Sequence, residues 1–302
     1  MVPPGVEGIV SLRELPDPEW ESRWTRIFVP VAIKERLLNF TLFAMRHRGG
    51  VDPVRLPLHG LVVLSGPPGT GKTTLAGGLA NEAARQLGDG ALLFAEVDAH
   101  AFPSQMLGES QRGVARLFER TLPDLAHRGR PTIVLLDEVE ALAVSRAGAS
   151  LETNPVDVHR ATDAVLSGVD QVARTCPNLL FVATTNHAVG VDPAFLSRAD
   201  LIEEIGLPSH EAVQRILRDT LGQLVPEDRL EDVALAELAR ACVAASIDAR
   251  QVRKLVLRAI ASKRELALAP EQLRVEDVAA ALNAEHNGAA PQRRSPSRAK
   301  RS

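Results

Sequence analysis

The run Gly66-Pro67-Pro68-Gly69-Thr70-Gly71-Lys72-Thr73 constrains this chain more than any other stretch. It has the form G-x-x-x-x-G-K-[ST] and directly follows the apolar segment Leu61-Val62-Val63-Leu64. A buried strand, a glycine-rich turn and a helix in that order call for an α/β fold, with the turn at the carboxyl edge of a sheet. The turn aims successive backbone N–H groups into one concavity. The helix that follows adds its own free N–H groups and the positive end of its dipole. Such a cradle suits phosphates. Gly66, Pro67, Pro68, Gly69, Thr70, Gly71, Lys72, Thr73 and Thr74 are the candidate nucleotide-binding residues. Lys72 is placed to reach the β- and γ-phosphates, and the Thr73 hydroxyl to sit on Mg²⁺.

The rest of the sheet is legible from recurring apolar stretches at 92–97, 133–136, 179–183 and 201–205, each after a plausible helix. With 61–64 they predict a parallel five-stranded sheet flanked by helices on both faces. A helix is expected over 31–47, where Ile33, Leu37, Leu38 and Leu42 fall near helical spacing. Residues 1–23, rich in Pro, Glu and Asp, read as an N-terminal arm. Beyond Leu207-Pro208-Ser209 the pattern becomes helical only, with stripes over 209–224, 230–245, 248–266 and 275–284. In the third, Asp248 is the expected N-cap, with Gln251 three residues on. The expected organisation is a large α/β domain over 24–207, a small all-helical lid over 208–287, and a disordered basic tail over 288–302.

Ile133-Val134-Leu135-Leu136-Asp137-Glu138 brings a second set of chemistry to the same sheet edge. Asp137 is the candidate ligand for Mg²⁺ through its water shell, alongside Thr73. Glu138, one residue on, is the candidate general base that polarises an attacking water. Thr184-Thr185-Asn186 ends the next strand, and the Asn186 amide can bond the attacking water or the γ-phosphate without adding negative charge. Arg198 falls in a loop before the last strand, too far round the sheet to serve its own phosphates. It is either a guanidinium given to a neighbouring subunit's phosphates or a surface ion pair with Asp200. Arg250, in the first turn of the third lid helix, opposes that helix's dipole, which points to an anionic partner.

Composition narrows the alternatives. Net charge is −3 and aromatic residues make up 3%, with no Tyr, which disfavours stacking-based binding of single-stranded nucleic acid. No segment reaches the roughly 18 apolar residues of a membrane span. The N-terminus shows no secretory pattern, and Cys176 and Cys242 stand apart from each other and from any His cluster. A cytoplasmic protein without disulfide or zinc is expected.

Taken together, the GPPGTGKT, LLDE and TTN motifs, an arginine before the last strand and a helical lid resemble the AAA+ ATPases, over roughly residues 24 to 285. Within that superfamily the chain is most similar to the thyroid hormone receptor interactor 13 family, which remodels HORMA-domain proteins. The selective residues are Asp157, Arg160, Ala164-Val165-Leu166 and Asp170-Gln171, then Arg198-Ala199-Asp200. The resemblance implies an ATP hydrolase acting as a homo-hexameric ring, with Asn186 as first sensor, Arg198 as trans finger and Arg250 as lid sensor. It further implies that Gln105, Met106, Leu107 and Gly108 belong to the first pore loop, which grips an extended segment of substrate and partly unfolds it. The family usually has an aromatic residue where this chain has Met106, so a weaker grip is expected. Only about 20 residues precede Trp24, where eukaryotic members carry a recognition domain. Compact members resemble those of bacterial CBASS antiphage operons, whose HORMA protein activates a cyclic-oligonucleotide nucleotidyltransferase. The resemblance therefore implies a HORMA-domain partner and a role in switching that signalling off. The alternatives are a nucleic-acid-dependent ATPase of replication or transposition type, favoured only by the basic tail and an Arg-rich lid, and an inactive nucleotide-binding scaffold.

Overall fold

A computed structural model of the chain describes residues 8–88, 90, 92–97, 99, 109–145 and 155–288. The chain divides into two compact domains, Met1–Gly206 and Leu207–Ser302. The first contains strands β1 (Ile9–Leu15), β2 (Leu61–Ser65), β3 (Leu92–Val97), β4 (Thr132–Leu136), β5 (Leu179–Thr185) and β6 (Leu201–Glu204). Its helices are α1 (Glu21–Thr25), α2 (Val31–His47), α3 (Lys72–Leu87), α4 (Glu109–Arg116), α5 (Leu122–Leu125), α6 (Pro155–Thr175) and α7 (Pro193–Leu196).

The strands lie in the order β1-β3-β4-β5-β2-β6, with β2 through β6 parallel to one another. These are the five strands expected from the sequence. The sixth corrects that expectation: β1 pairs antiparallel with β3, so residues 9–15 extend the sheet rather than form a free arm. The backbone donors and acceptors of β3's outer edge bind it there. Trp20, just after it, packs edge-on against Phe94 of β3 at 5.1 Å, and the Arg23 guanidinium stacks on the Trp20 ring at 3.9 Å.

Side chains alternate across the sheet with period 2. Leu61 and Val63 of β2, Val134 and Leu136 of β4, and Phe181 and Ala183 of β5 join a core with α4 and α6. The intervening Val62, Leu64, Ile133, Leu135, Leu180 and Val182 join a second core with α2 and α3. Because both faces are covered, the central strands are apolar throughout, and Leu61 to Leu64 have no solvent exposure. Each such side chain contributes about 1.5–3 kcal/mol on burial. Short β6 is an edge strand whose buried Glu203 receives two bonds from Arg36 of α2, at 2.6 and 2.8 Å.

The second domain holds α8 (His210–Leu221), α9 (Asp232–Ala244), α10 (Ala249–Ala261), α11 (Arg264–Leu268) and α12 (Val275–Gly288). The helix expected over 248–266 is two helices, α10 and α11, separated at Ser262-Lys263. Asp248 caps α10 as expected. Its carboxylate accepts from the Arg250 and Gln251 amides at 2.7 and 2.9 Å, and Gln251 Oε1 accepts from the Asp248 amide at 2.8 Å.

Candidate nucleotide site

Strand β2 ends at Ser65, and the loop 66–71 carries the chain into α3 at the carboxyl edge of the sheet. Gly66 has φ +144°, and a Cβ there would stand 2.1 Å from the Ile205 carbonyl oxygen. No other residue fits that approach of the loop to the end of β6. Gly71 N-caps α3 in the left-handed conformation, and no side chain caps the helix among the described residues. Its first-turn amides are therefore directed at the loop's concavity, the geometry that phosphate binding needs.

Lys72 is buried, and its ammonium donates to Gly66 O at 2.8 Å, Pro67 O at 2.9 Å and Asn186 Oδ1 at 2.9 Å. Asn186 Nδ2 donates to Glu138 Oε1 at 3.3 Å. Only one orientation of the amide satisfies both neighbours, with oxygen on the cation and nitrogen on the carboxylate. Lys72, Asn186 and Glu138 thus form one row across three strands' ends. The Thr70 hydroxyl donates to Pro67 O at 3.0 Å and braces the loop from within. Thr74 is exposed on the first turn of α3.

The Thr73 hydroxyl donates to Asp137 Oδ1 at 2.9 Å. These two hard oxygen donors fit Mg²⁺, which keeps most of its ligands from water and phosphate. Among the described residues no group of three or more His, Cys, Asp or Glu gathers into a cage of its own.

Sequence reasoning did not single out three further residues here. Glu140, in the turn after β4, accepts from the Asn186 amide at 3.1 Å through Oε1. Thr184 of β5 accepts from the Glu138 amide at 3.1 Å and donates to Asp137 Oδ1. Glu96 near the end of β3 has its carboxyl pushed above the ordinary range by burial and then by the negative charge of Asp137. Each belongs to the site through a neighbouring strand; Thr184 stands in the Thr184-Thr185-Asn186 run, but its partners Asp137 and Glu138 come from β4.

Arg198 is elsewhere. It follows α7 and precedes β6, at the amino edge of the sheet, whereas the 66–73 loop lies at the carboxyl edge. The length of β2 between them amounts to about 16 Å. Its guanidinium binds Asp170 of α6 side-on, Nε and Nη2 donating at 2.8 and 2.9 Å, and Nη1 donates to Ala194 O at 2.7 Å. That hydrogen-bonded charge holds the Asp170 carboxyl below its usual range. The expected alternative, an ion pair with Asp200, does not form. The Asp200 carboxylate instead accepts from the backbone amides of His59, Gly60 and Leu61 at 3.0, 2.6 and 2.9 Å. Buried Arg48 completes this edge, donating to His59 O at 3.0 Å and Cys176 O at 2.7 Å, with burial lowering its guanidinium to about 10. Arg198 and Asp170 sit in the wall of an open cleft of about 790 Å³, with Arg48, His59 and Arg174.

Arg250 is exposed in the first turn of α10, in the helical domain. Gln105, Met106, Leu107 and Gly108 lie outside the described residues, as does the basic tail from 289 onward. Among the described residues no helix is long and apolar enough to cross a membrane.

The model of the family "ATPase family associated with various cellular activities (AAA)" matches residues 62–207. CD-NTase-associated protein 6 of Pseudomonas aeruginosa is 43% identical over 285 residues, covering 91% of each chain. The pachytene checkpoint protein 2 homologue of Danio rerio is 33% identical over 74% of this chain and 54% of its own. The Oryza sativa subsp. indica homologue is 34% identical over 70% of this chain and 45% of its own. The chain thus spans about half the length of those two relatives. Among solved structures, the E. coli MS115-1 HORMA:CdnC:Trip13 complex contains a chain matching with TM-score 0.77 at 23% identity, covering 94% of this chain and 97% of that one. C. elegans PCH-2 matches with TM-score 0.74 at 24% identity, covering 91% of this chain and 75% of that one. Both share the fold.

Proposed function

The chain belongs to the AAA family of ATPases and, within it, to the group that includes CD-NTase-associated protein 6 and pachytene checkpoint protein 2, and on that footing we propose that it works as a ring whose ATP hydrolysis remodels a HORMA-domain protein. In this reading Glu138 orients and deprotonates the attacking water, with Asn186 fixing its carboxylate. Lys72 turns from the loop carbonyls to the β- and γ-phosphates when these arrive. Thr73 and Asp137 would hold Mg²⁺, which when bound would neutralise charge on the phosphates.

The observation that carries the ring is the position of Arg198. Its strand end is the wrong one for its own nucleotide, so in this reading the guanidinium serves a neighbour's. A subunit that places its phosphate loop on one edge and a guanidinium on the other is complete only when a second copy supplies the missing charge. We assign the ring six subunits, Arg250 the role of lid sensor, and residues 105–108 the grip on substrate in the pore. The partner is assigned from the relatives: one is named for association with a CD-NTase, and the E. coli structure is of a complex with HORMA and CdnC. Opening of the HORMA protein, and with it silencing of CBASS signalling through the nucleotidyltransferase, is the resulting activity.

Glu138→Gln tests this. Gln keeps an oxygen for Asn186 Nδ2 but loses the base, so the variant should bind ATP, fail to hydrolyse it, and stay associated with a HORMA-domain protein. Wild-type ATPase should rise severalfold with that protein and not with DNA. Stimulation by DNA alone would overturn the reading.

A further inference from the structure

Thr184 occupies the end of β5, which lies between β4 and β2 and so between the strand bearing Asp137 and the strand feeding the phosphate loop. Its side chain is buried, 2% exposed. It makes two bonds, and each is to the hydrolytic machinery: the hydroxyl proton goes to Asp137 Oδ1, and a lone pair accepts the Glu138 amide at 3.1 Å. Glu138 has φ +52° and ψ +53°, the left-handed region. For a residue with a Cβ that conformation costs about 1–2 kcal/mol and needs support from its surroundings. The bond to the Glu138 amide is such a support, made one bond away from the Cα that carries the catalytic carboxylate.

We infer that Thr184 is a positioning residue for ATP hydrolysis, one hydroxyl that sets the rotamer of the Asp137 carboxylate and holds the Glu138 backbone in its left-handed turn. The hydroxyl touches neither nucleotide nor water in this role and acts through the two acids. Asp137 Oδ1 accepts from Thr73 and Thr184 together, so two donors hold that one oxygen. Loss of the hydroxyl frees the carboxylate to rotate and leaves the Glu138 amide without its acceptor. The inference rests on the assignment of Glu138 as base.

The test compares Thr184→Val, which keeps the branched shape, with Thr184→Ser, which keeps the hydroxyl. Outer-shell partners of this kind typically contribute 10–100-fold to activity or metal affinity. Thr184→Val should lower kcat about 10-fold or more and raise the Mg²⁺ concentration for half-maximal rate. Affinity for a fluorescent ATP analogue should stay within about twofold, because the phosphate loop is untouched. Thr184→Ser should recover most of the lost kcat. A wild-type kcat in Thr184→Val, or a Thr184→Ser variant as slow as Thr184→Val, overturns the inference, as does a parallel fall in nucleotide affinity and melting temperature. Glu138→Gln, run beside them, separates the two claims: if it hydrolyses normally, the assignment of the base has failed instead.

Discussion

Asp200 offers a quantitative test of how the amino edge of the sheet is built. Its carboxylate is 6% exposed and accepts three backbone amides, from His59 to Oδ1 and from Gly60 and Leu61 to Oδ2. Gly60 and Leu61 are themselves buried, so removal of the acceptor strands donors that water does not reach. Hydrogen bonds to a charged group contribute about 1.5–3 kcal/mol each, and a stranded buried donor costs about 1–3 kcal/mol. Three bonds to one group are not additive, so Asp200→Ala should cost about 3–5 kcal/mol. Asp200→Asn differs in kind. Its amide oxygen can keep Gly60 and Leu61, while its NH₂ faces the His59 N–H, donor against donor, so about 2 kcal/mol is expected. For a domain near 200 residues each kcal/mol moves Tm by about 2–4 °C. The expected losses are therefore about 6–20 °C for Asp200→Ala and about 4–8 °C for Asp200→Asn. Trp20 and Trp24 are the chain's two tryptophans and both lie in the α/β domain, so tryptophan fluorescence reports that domain's unfolding alone. If Asp200→Ala melts within about 2 °C of wild type, or no lower than Asp200→Asn, the three-amide account is wrong.

Arg198→Ala should bind ATP but not hydrolyse it, and mixing it with Lys72→Ala subunits, equally inactive alone, should restore turnover through mixed interfaces. A mixture as dead as its parts would falsify the trans assignment. The Asp170–Arg198 pair predicts an acid-sensitive contribution to stability. Because the folded Asp170 carboxyl lies below its ordinary value near 3.9, its contribution is present above that value and lost as pH falls through the folded one. The Tm gap between wild type and Asp170→Asn should thus close below about pH 4, and a gap unchanged from pH 6 to pH 3 would contradict the pairing. Gly168→Ala would set a Cβ 2.3 Å from Phe118 Cγ and 2.6 Å from its Cβ, where α6 meets the short π-helix Leu117–Thr121 that follows α4. Overpacking of that kind costs about 1–3 kcal/mol, so a Tm several degrees lower is expected, and an unchanged melt would show that the two elements separate freely.

How much of this was legible in the sequence differs by kind of feature. The five parallel strands and the start of α3 were readable because burial on both faces makes each strand a short apolar run, and because glycine spacing dictates the turn. Strand β1 was not. It is half solvated at an edge and irregular between Ile9 and Ser11, so it lacks both a continuous apolar run and a clean alternation. The single helix expected over 248–266 failed for the opposite reason: the apolar stripe runs on through Leu266, while the backbone turns extended at Lys263 and divides it.

The phosphate loop, the paired acids Asp137-Glu138 and the side-chain amide of Asn186 are readable from chain order alone, because each depends on residues a few positions apart with fixed local geometry. Which groups hold them depends on the folded sheet. Thr184 braces the two acids from β5, and Glu140 accepts the backbone N–H of Asn186 from the turn after β4. Asp170 takes Arg198 from 28 residues away, and Asp200 turns from its neighbour to the start of β2. Partner choice among polar groups is settled by which strand ends the sheet order brings together, and chain separation carries no record of it. The phosphate loop and the arginine were both visible in the sequence. That their strands are immediate neighbours, with β2 and β6 parallel and side by side, is what the structure adds.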